Sequence, residues 1–430
     1  MNKNLTREKR IRQNMIFNTV GSLIYYACQW LMTILIARIL GYEEAGVLSI
    51  AMSVTASPAI VGLFNIRSFQ VSDLENQFSD EIYILSRIYT TAISFVICII
   101  MVILGGYDLS KKVTILIYMI YKIVEGFADV YYGVEQKNER MDYVGISLSM
   151  RGVFTLVSFY VTLKLTNSLF MSIVTISIVS ASIVAFYDKK IVRKWECSAR
   201  ENTDIINKRI INKRVISLLG KCFPLAVVAF LNNLSLNIPK IYLEKYYGSE
   251  IMGIYSSVSS PTLVVQLAAT TIFAPLIPVL SLLFKERKKE LFCNTIKKLA
   301  LIMVLLSIVC LAGAKLFGRW GLVLLFKQSI EPYAYMFVPI TGIAIMIAIN
   351  ASLFSMCTLM REIKSQYLIG VLGILSSYIF SITVVKEMSM VGTTYAFVGS
   401  LFIQILIQIM IIYNKIKKYV WSGDNNGTES

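Results

Sequence analysis

The sequence has no histidine and little charge. Its 42 basic and 26 acidic residues make up 16% of 430 positions, against roughly a quarter in soluble domains. Without histidine, the commonest general base and metal ligand near neutral pH is missing. Prolines number only 8, and the cysteines (Cys28, Cys98, Cys197, Cys222, Cys293, Cys310, Cys357) form no C-x-x-C pair and no even-spaced framework. They read as inert core thiols. No G-x-x-x-x-G-K-[ST] phosphate loop is present, so the chain does not hydrolyse ATP by itself. No metal site or resident cofactor is expected.

What remains is apolar. Residues of the hydrophobic class make up 56% of the chain and the mean hydropathy is +0.66. They gather into about twelve stretches, each long enough to cross a hydrocarbon core of roughly 30 Å at about 1.5 Å per residue. The spans read as Asn14–Leu40, Ala45–Asn65, Ile84–Leu104, Val113–Tyr132, Tyr143–Leu163, Leu169–Phe186, Val215–Ile238, Met252–Leu283, Leu299–Phe317, Tyr333–Met360, Tyr367–Val385 and Val391–Tyr413. The expected fold is an all-α polytopic membrane protein of about twelve helices. The basic start, Met1 to Gln13, precedes a span too long for a cleavable signal and is expected to be retained.

Placement of the +16 net charge gives orientation. With the N-terminus inside, Lys3, Arg7, Lys9, Arg10, Arg12, Lys137, Arg140, the basic run from Lys189 to Arg214, Lys285 to Lys298, Arg361, Lys364 and Lys415 to Lys418 all fall on the inner side. Fewer cations, among them Lys111, Lys164, Lys240 and Arg319, fall outside. Both termini are therefore expected in the cytoplasm, and the basic clusters read as topology and anionic-lipid attraction, with no nucleic acid partner.

The longest polar break divides the chain into an N-terminal six-helix lobe (1–187), a basic cytoplasmic linker (188–214), a C-terminal six-helix lobe (215–421) and a polar tail (422–430) expected to be disordered. A repeat shows across the break. Arg38, Gly41, Glu43, Gly46 and Ser49 match Lys245, Gly248, Glu250, Gly253 and Ser256 at a constant offset. Halves with an even number of spans share one topology, so a pseudo-twofold axis along the membrane normal is expected, with a substrate path between the halves.

Ionisable groups inside spans must face protein or water. Lys122, Glu125 and Asp129 share one helical face. Two roles are open: coupling of H+ or Na+ through the carboxylates, or an internal ion pair, Lys122 to Glu125, that pins the helix. Asn18 and Gln29 belong to a polar stripe with Asn14, Ser22 and Tyr25, and Asn232 and Asn237 to one with Lys221 and Ser235. Such groups bond helix to helix or line a wet cavity. Arg67, Arg151 and Lys221 are cations that can hold a phosphate-bearing substrate or, alternatively, snorkel to headgroups.

The segment Ala37-Arg38-Ile39-Leu40-Gly41-Tyr42-Glu43-Glu44-Ala45-Gly46 resembles the A-R-x-L-G-x-x-x-x-G segment of polysaccharide flippases of the O-antigen and capsule type. These belong to the multidrug/oligosaccharidyl-lipid/polysaccharide exporter superfamily. The basic start, the stretch Phe127-Ala128-Asp129 to Arg140, and Gly248 to Tyr255 are also similar. The resemblance implies two six-helix lobes around a cationic cavity. It also implies alternating-access movement of an undecaprenyl-diphosphate-linked oligosaccharide to the outer leaflet, beside the polymerase and glycosyltransferases of the same pathway. The alternatives are a cation-coupled multidrug or toxin exporter of the same superfamily and, further off, a membrane-embedded polysaccharide polymerase or ligase. An enzyme would need a sizeable external loop, and the longest expected here is Gly318 to Pro332.

Overall fold

In hydrocarbon no water is available for backbone amides, so long apolar runs satisfy them internally as helices. A computed structural model has this form: every regular element among the described residues is helical. The structure describes residues 2–73, 75, 77–193, 208–273 and 276–424. Most of the linker expected at 188–214 lies outside these residues, as do Cys197 and residues 425–430. Ser422 to Asp424, expected as tail, close the last helix.

The chain divides into two compact units, Met1–Phe230 and Leu231–Ser430. The first holds α1 (Asn2–Ile39), α2 (Tyr42–Leu63), α3 (Ile66–Ser72), α4 (Asp80–Leu104), α5 (Leu109–Lys137), α6 (Met141–Thr166) and α7 (Leu169–Ile183), which runs into a π-helical turn, Val184–Asp188. Next comes α8 (Lys208–Ser259), within which the units divide. The second unit continues with α9 (Leu263–Phe273), α10 (Leu276–Lys285), α11 (Lys289–Phe326), α12 (Phe337–Leu359), α13 (Ile363–Phe380) and α14 (Lys386–Asp424).

Among the described residues, nine helical runs are long and apolar enough to cross a membrane. The protein is a multi-pass membrane protein. Two of the nine, of 57 and 55 residues, are more than twice the length that one crossing of about 20 residues requires. Each contains a non-helical residue, Gly248 (φ 79°, ψ 178°) or Ser389 (φ 50°, ψ −127°). The helix with Lys122, Glu125 and Asp129, α5, is not among the nine.

The matched glycines of the sequence repeat adopt the same backbone conformation. Gly41, which caps α2, has φ 96° and ψ −177°, close to the values at Gly248. This region is essentially open to glycine alone. A Cβ at either position would meet no atom within 4 Å, so the requirement is conformational rather than one of space.

Elsewhere glycine does serve for close approach. A Cβ on Gly21 of α1 would collide with the backbone of Gly145 in α6, and one on Gly145 with the Phe17 carbonyl. Two turns along, Gly152 would meet the Tyr25 backbone at 3.0 Å. Helices in a membrane pack tightest through such small residues. This contact brings the polar stripe of α1 against the α6 face that carries Arg151.

Two expectations from the sequence change. The external loop expected from Gly318 to Pro332 is helical, since α11 continues to Phe326 and a 3-10 stretch, Gln328–Met336, follows Lys327. The apolar run Leu322 to Phe326 lets α11 continue. Met252–Leu283, expected as one span, is segmented by a 3-10 turn at Ser260–Thr262. Pro261, which has no N–H to give an α-helical bond, stands in the break.

Candidate functional site

The first unit contains a polar cavity of about 290 Å³, lined by Asn18, Ser22, Tyr25 and Tyr26 of α1, Leu63 and Arg67, Glu125, Asp129 and Tyr132 of α5, and Val144, Leu148 and Arg151 of α6. Each charged member is set in place by its helix. Beyond Leu63, Phe64 (φ 47°) and Asn65 (φ 55°) adopt left-handed conformations that end α2. The new helix, α3, turns Arg67 toward α5, where its guanidinium donates to Asp129 (3.3 Å) and twice to Gln136 (3.0 and 3.3 Å).

Asp129 is also bonded from behind. Arg87 of α4, fully buried, donates to Asp129 (2.8 Å) and to the Gly62 carbonyl (2.5 Å), which also accepts from Thr90 (2.8 Å). Carbonyls in the last turn of a helix lack helical partners, and a cation satisfies both their hydrogen-bonding need and the negative end of the dipole.

Glu125 stands at the other side of the cavity. It pairs with Lys122 (2.7 Å) and Arg151 (3.6 Å) and accepts from the Tyr25 hydroxyl. Arg151 is 2% exposed and also donates to Ser180 (3.1 Å) and Tyr132 (3.4 Å), with Tyr25 under its guanidinium plane at 5.4 Å. Gln29 donates to Tyr121 (2.7 Å), whose hydroxyl bonds Tyr25 (3.2 Å), so it supports the wall without lining it. Arg67 and Arg151 line the cavity opposite Glu125 and Asp129, and Arg87 and Lys122, behind the lining, pair with the same two carboxylates and leave the cluster two charges positive. Such a site favours an anion able to accept bidentate arginine hydrogen bonds, as phosphate does.

Of the residues singled out from sequence, Asn18, Arg67, Glu125, Asp129 and Arg151 therefore line one cavity, with Lys122 behind Glu125 and Gln29 two hydrogen bonds away through Tyr121 and Tyr25. Lys221 does not join them. It is an exposed side chain of α8 that donates to Gln77 (2.9 Å) and lies over the Phe78 ring at 4.9 Å. This turn is organised by Asp73, which accepts from the Gln77 and Phe78 amides (2.9 and 3.1 Å) and the Tyr83 hydroxyl (2.9 Å). Burial pushes the Asp73 carboxyl up, but these hydrogen bonds, with nearby Lys137, outweigh it and hold the group below the usual aspartate range.

Asn232 and Asn237 belong to the second unit. Asn232 accepts from Asn350 (3.4 Å), which accepts from Gln408 (3.0 Å), while Asn237 bonds back to Asn233 within its own helix (2.9 Å). Gln404 reaches Ser235 (3.5 Å), and the Ser377 hydroxyl donates to the Ser235 carbonyl (2.7 Å). This amide network joins α8, α12, α13 and α14. A cavity of about 230 Å³ in the second unit, between Pro261, Phe317, Leu322 and Phe337, is mostly apolar.

Sequence reasoning missed Arg87, Asn350, Gln404 and Gln408. Arg87 lies within the apolar span Ile84–Leu104, and the argument that flagged Arg151 applies to it equally. Gln404 and Gln408, one helical turn apart in an apolar run, gave the same kind of signal. Among the described residues no cluster of three or more His, Cys, Asp or Glu side chains could hold a metal ion.

The fold is that of a known class of membrane transporters. The chain is similar to a multidrug resistance MATE family transporter of the MOP superfamily in its inward-facing conformation (12% identity, 97% of this chain and 100% of that one, TM-score 0.69). It is also similar to the lipid II flippase MurJ in an inward closed conformation (12% identity, 94% and 90%, TM-score 0.70). A family model described as polysaccharide biosynthesis protein matches residues 11–284, and the chain belongs to that family. A curated relative, the capsular polysaccharide biosynthesis protein CapF of Staphylococcus aureus, is 25% identical over 406 residues, 94% of this chain and 99% of that protein.

Proposed function

We propose that this protein is a flippase that carries an undecaprenyl-diphosphate-linked oligosaccharide from the inner to the outer leaflet of the bacterial cytoplasmic membrane by alternating access, for export of a cell-surface polysaccharide. The observation that carries this reading is the cavity in which Arg67 and Arg151 face Asn18, Tyr25 and Tyr132. The guanidinium groups suit a diphosphate, and the amide and phenols suit sugar hydroxyls. Membership of a polysaccharide biosynthesis family points to the same cargo. At about 290 Å³ the cavity has room for a charged headgroup and not for a lipid-linked oligosaccharide as a whole.

In this reading each of the two long helical runs is folded into two crossings, at Gly248 and at Ser389. With charged α5 these bring the number of spans to twelve, six before the basic linker and six after. The positive-inside distribution then sets both termini in the cytoplasm. Lys221 lies at the cytoplasmic end of the first unit, where it meets anionic headgroups rather than the diphosphate, and the amides of the second unit, Asn232 and Asn237, serve helix packing. The multidrug-exporter alternative requires a cavity carboxylate free to take up a cation. Glu125 and Asp129 both have basic partners, which favours an anionic cargo over a cationic drug.

Binding tests the reading. Full-length protein in lipid nanodiscs should bind an undecaprenyl-diphosphate oligosaccharide with an affinity that falls at least about tenfold, or 1.4 kcal/mol, in Arg67→Ala and in Arg151→Ala. Unchanged affinity in both folded variants would remove the cavity from the substrate path.

A further inference from the structure

Each carboxylate of the cavity is held from two sides, and the two sides differ. Lys122 bonds one oxygen of Glu125 at 2.7 Å, while Arg151 stands 3.6 Å from the other, which also accepts from the Tyr25 hydroxyl. One helical turn along α5, Arg87 bonds one oxygen of Asp129 at 2.8 Å, and Arg67 reaches the other at 3.3 Å. In both cases the nearer cation lies outside the cavity lining and the farther one belongs to it.

This spacing leaves a donor uncommitted. In buried Arg151, Nε donates to Ser180 (3.1 Å) and Nη1 to Tyr132 (3.4 Å), but Nη2, the nitrogen nearest Glu125, has no hydrogen-bond partner. Buried N–H groups without an acceptor are rare and costly. A carboxylate alone at this distance would close on the guanidinium, because the charge-assisted pair is the stronger arrangement. With Lys122 on its other oxygen, the charge of Glu125 is already balanced and its pull on Arg151 is weakened. Lys122 is kept in that place by the Tyr118 and Tyr121 rings, which lie 5.5 and 5.6 Å from its ammonium.

We propose that Lys122 is a positioning residue for anion binding: by neutralising Glu125 from behind, it leaves Arg151 Nη2 free to donate to a phosphate oxygen. Arg87 stands in the same relation to Asp129 and Arg67. An arginine held this way turns to the anion without stripping a buried carboxylate of its last partner, which is the costly step when a lone ion pair is opened. The inference rests on the anionic-cargo reading above. It adds that a residue outside the lining sets the affinity of the site.

Calorimetric titration of the full-length protein in lipid nanodiscs with inorganic diphosphate tests this. Lys122 is the residue to change, because Arg87 also holds the Gly62 carbonyl. Lys122→Met should weaken diphosphate binding about tenfold in the wild-type background and less than about twofold in Glu125→Gln, where no carboxylate remains to capture Arg151. An equal cost in both backgrounds would mean that Lys122 acts on the anion through its own charge, and no cost in either would mean that it has no part in binding. Each of these results overturns the proposal. If Lys122→Met does not fold, Glu125→Gln decides alone. Without its competitor, Arg151 should hold diphosphate more tightly than in the wild type, and equal or weaker binding would overturn the proposal. Failure of the cargo reading looks different. A wild type that binds no diphosphate overturns both, whereas affinity lost in Arg151→Ala and untouched by Lys122→Met overturns this inference alone.

Discussion

Arg67 and Arg87 hold the same carboxylate, and their surroundings give them different work. Arg87 is fully buried and is bonded to Asp129 and to the last turn of α2, whereas Arg67 is 30% exposed toward the cavity. Removing Arg87 takes one charge-assisted hydrogen bond from Asp129, which keeps Arg67, and another from the buried Gly62 carbonyl, and such a bond is worth about 1.5–3 kcal/mol. Arg87→Ala should therefore lower the thermal unfolding temperature in detergent markedly, while Arg67→Ala, a half-exposed pair worth at most about 1 kcal/mol, should leave it nearly unchanged. Equal effects on stability would show that the two arginines are not divided between framework and cavity in this way. Asp73 gives a prediction for pH. Its carboxyl titrates below the unfolded value of about 3.9, so its contribution to stability is full above that value and is lost as pH falls through the lower folded value. Amide exchange protection at Gln77 and Phe78 should drop below about pH 4 in the wild type and be low at all pH values in Asp73→Ala. Protection that is independent of both acid and the substitution would mean that Asp73 does not organise the turn.

At the scale of elements, the two capping glycines are the clearest case of a structural feature legible in the sequence. Their matched neighbours at a fixed offset pointed to a repeated turn, and both backbones fall in the region that only glycine visits readily. Gly41→Ala and Gly248→Ala should each cost about 1–3 kcal/mol in unfolding measurements, although no atom obstructs the new methyl group. Lys327 adopts nearly the same backbone (φ 68°, ψ 179°) at the end of α11 without being glycine. Lys327→Gly should accordingly stabilise the protein by about 1 kcal/mol, and no gain would mean that this conformation carries no strain. The apolar spans were legible for a simple reason, that hydrocarbon permits only internally bonded backbone. Helix ends were less so. The extension of α11 through Gly318–Phe326 and the break at Ser260–Thr262 depend on local proline and glycine context rather than on hydropathy.

For the molecule as a whole, the sequence identified most cavity residues but, of their pairings, only that of Lys122 with Glu125. Lys122, Glu125 and Asp129 could be assigned to one helical face, but their partners Arg67, Arg87, Arg151 and Tyr25 come from four other elements, and tertiary packing alone chooses them. Lys221 resembled a cavity cation in sequence because it sits within an apolar run, yet its side chain ends on Gln77 and Phe78. In the proposed function the cavity serves movement of a lipid-linked sugar diphosphate between leaflets. The leaflet distribution of lipid-linked oligosaccharide in the native host after deletion of this protein tests it. Accumulation on the cytoplasmic leaflet with loss of surface polysaccharide is expected, reversed by the wild type and not by Arg151→Ala present in the membrane. An unchanged leaflet distribution would contradict it.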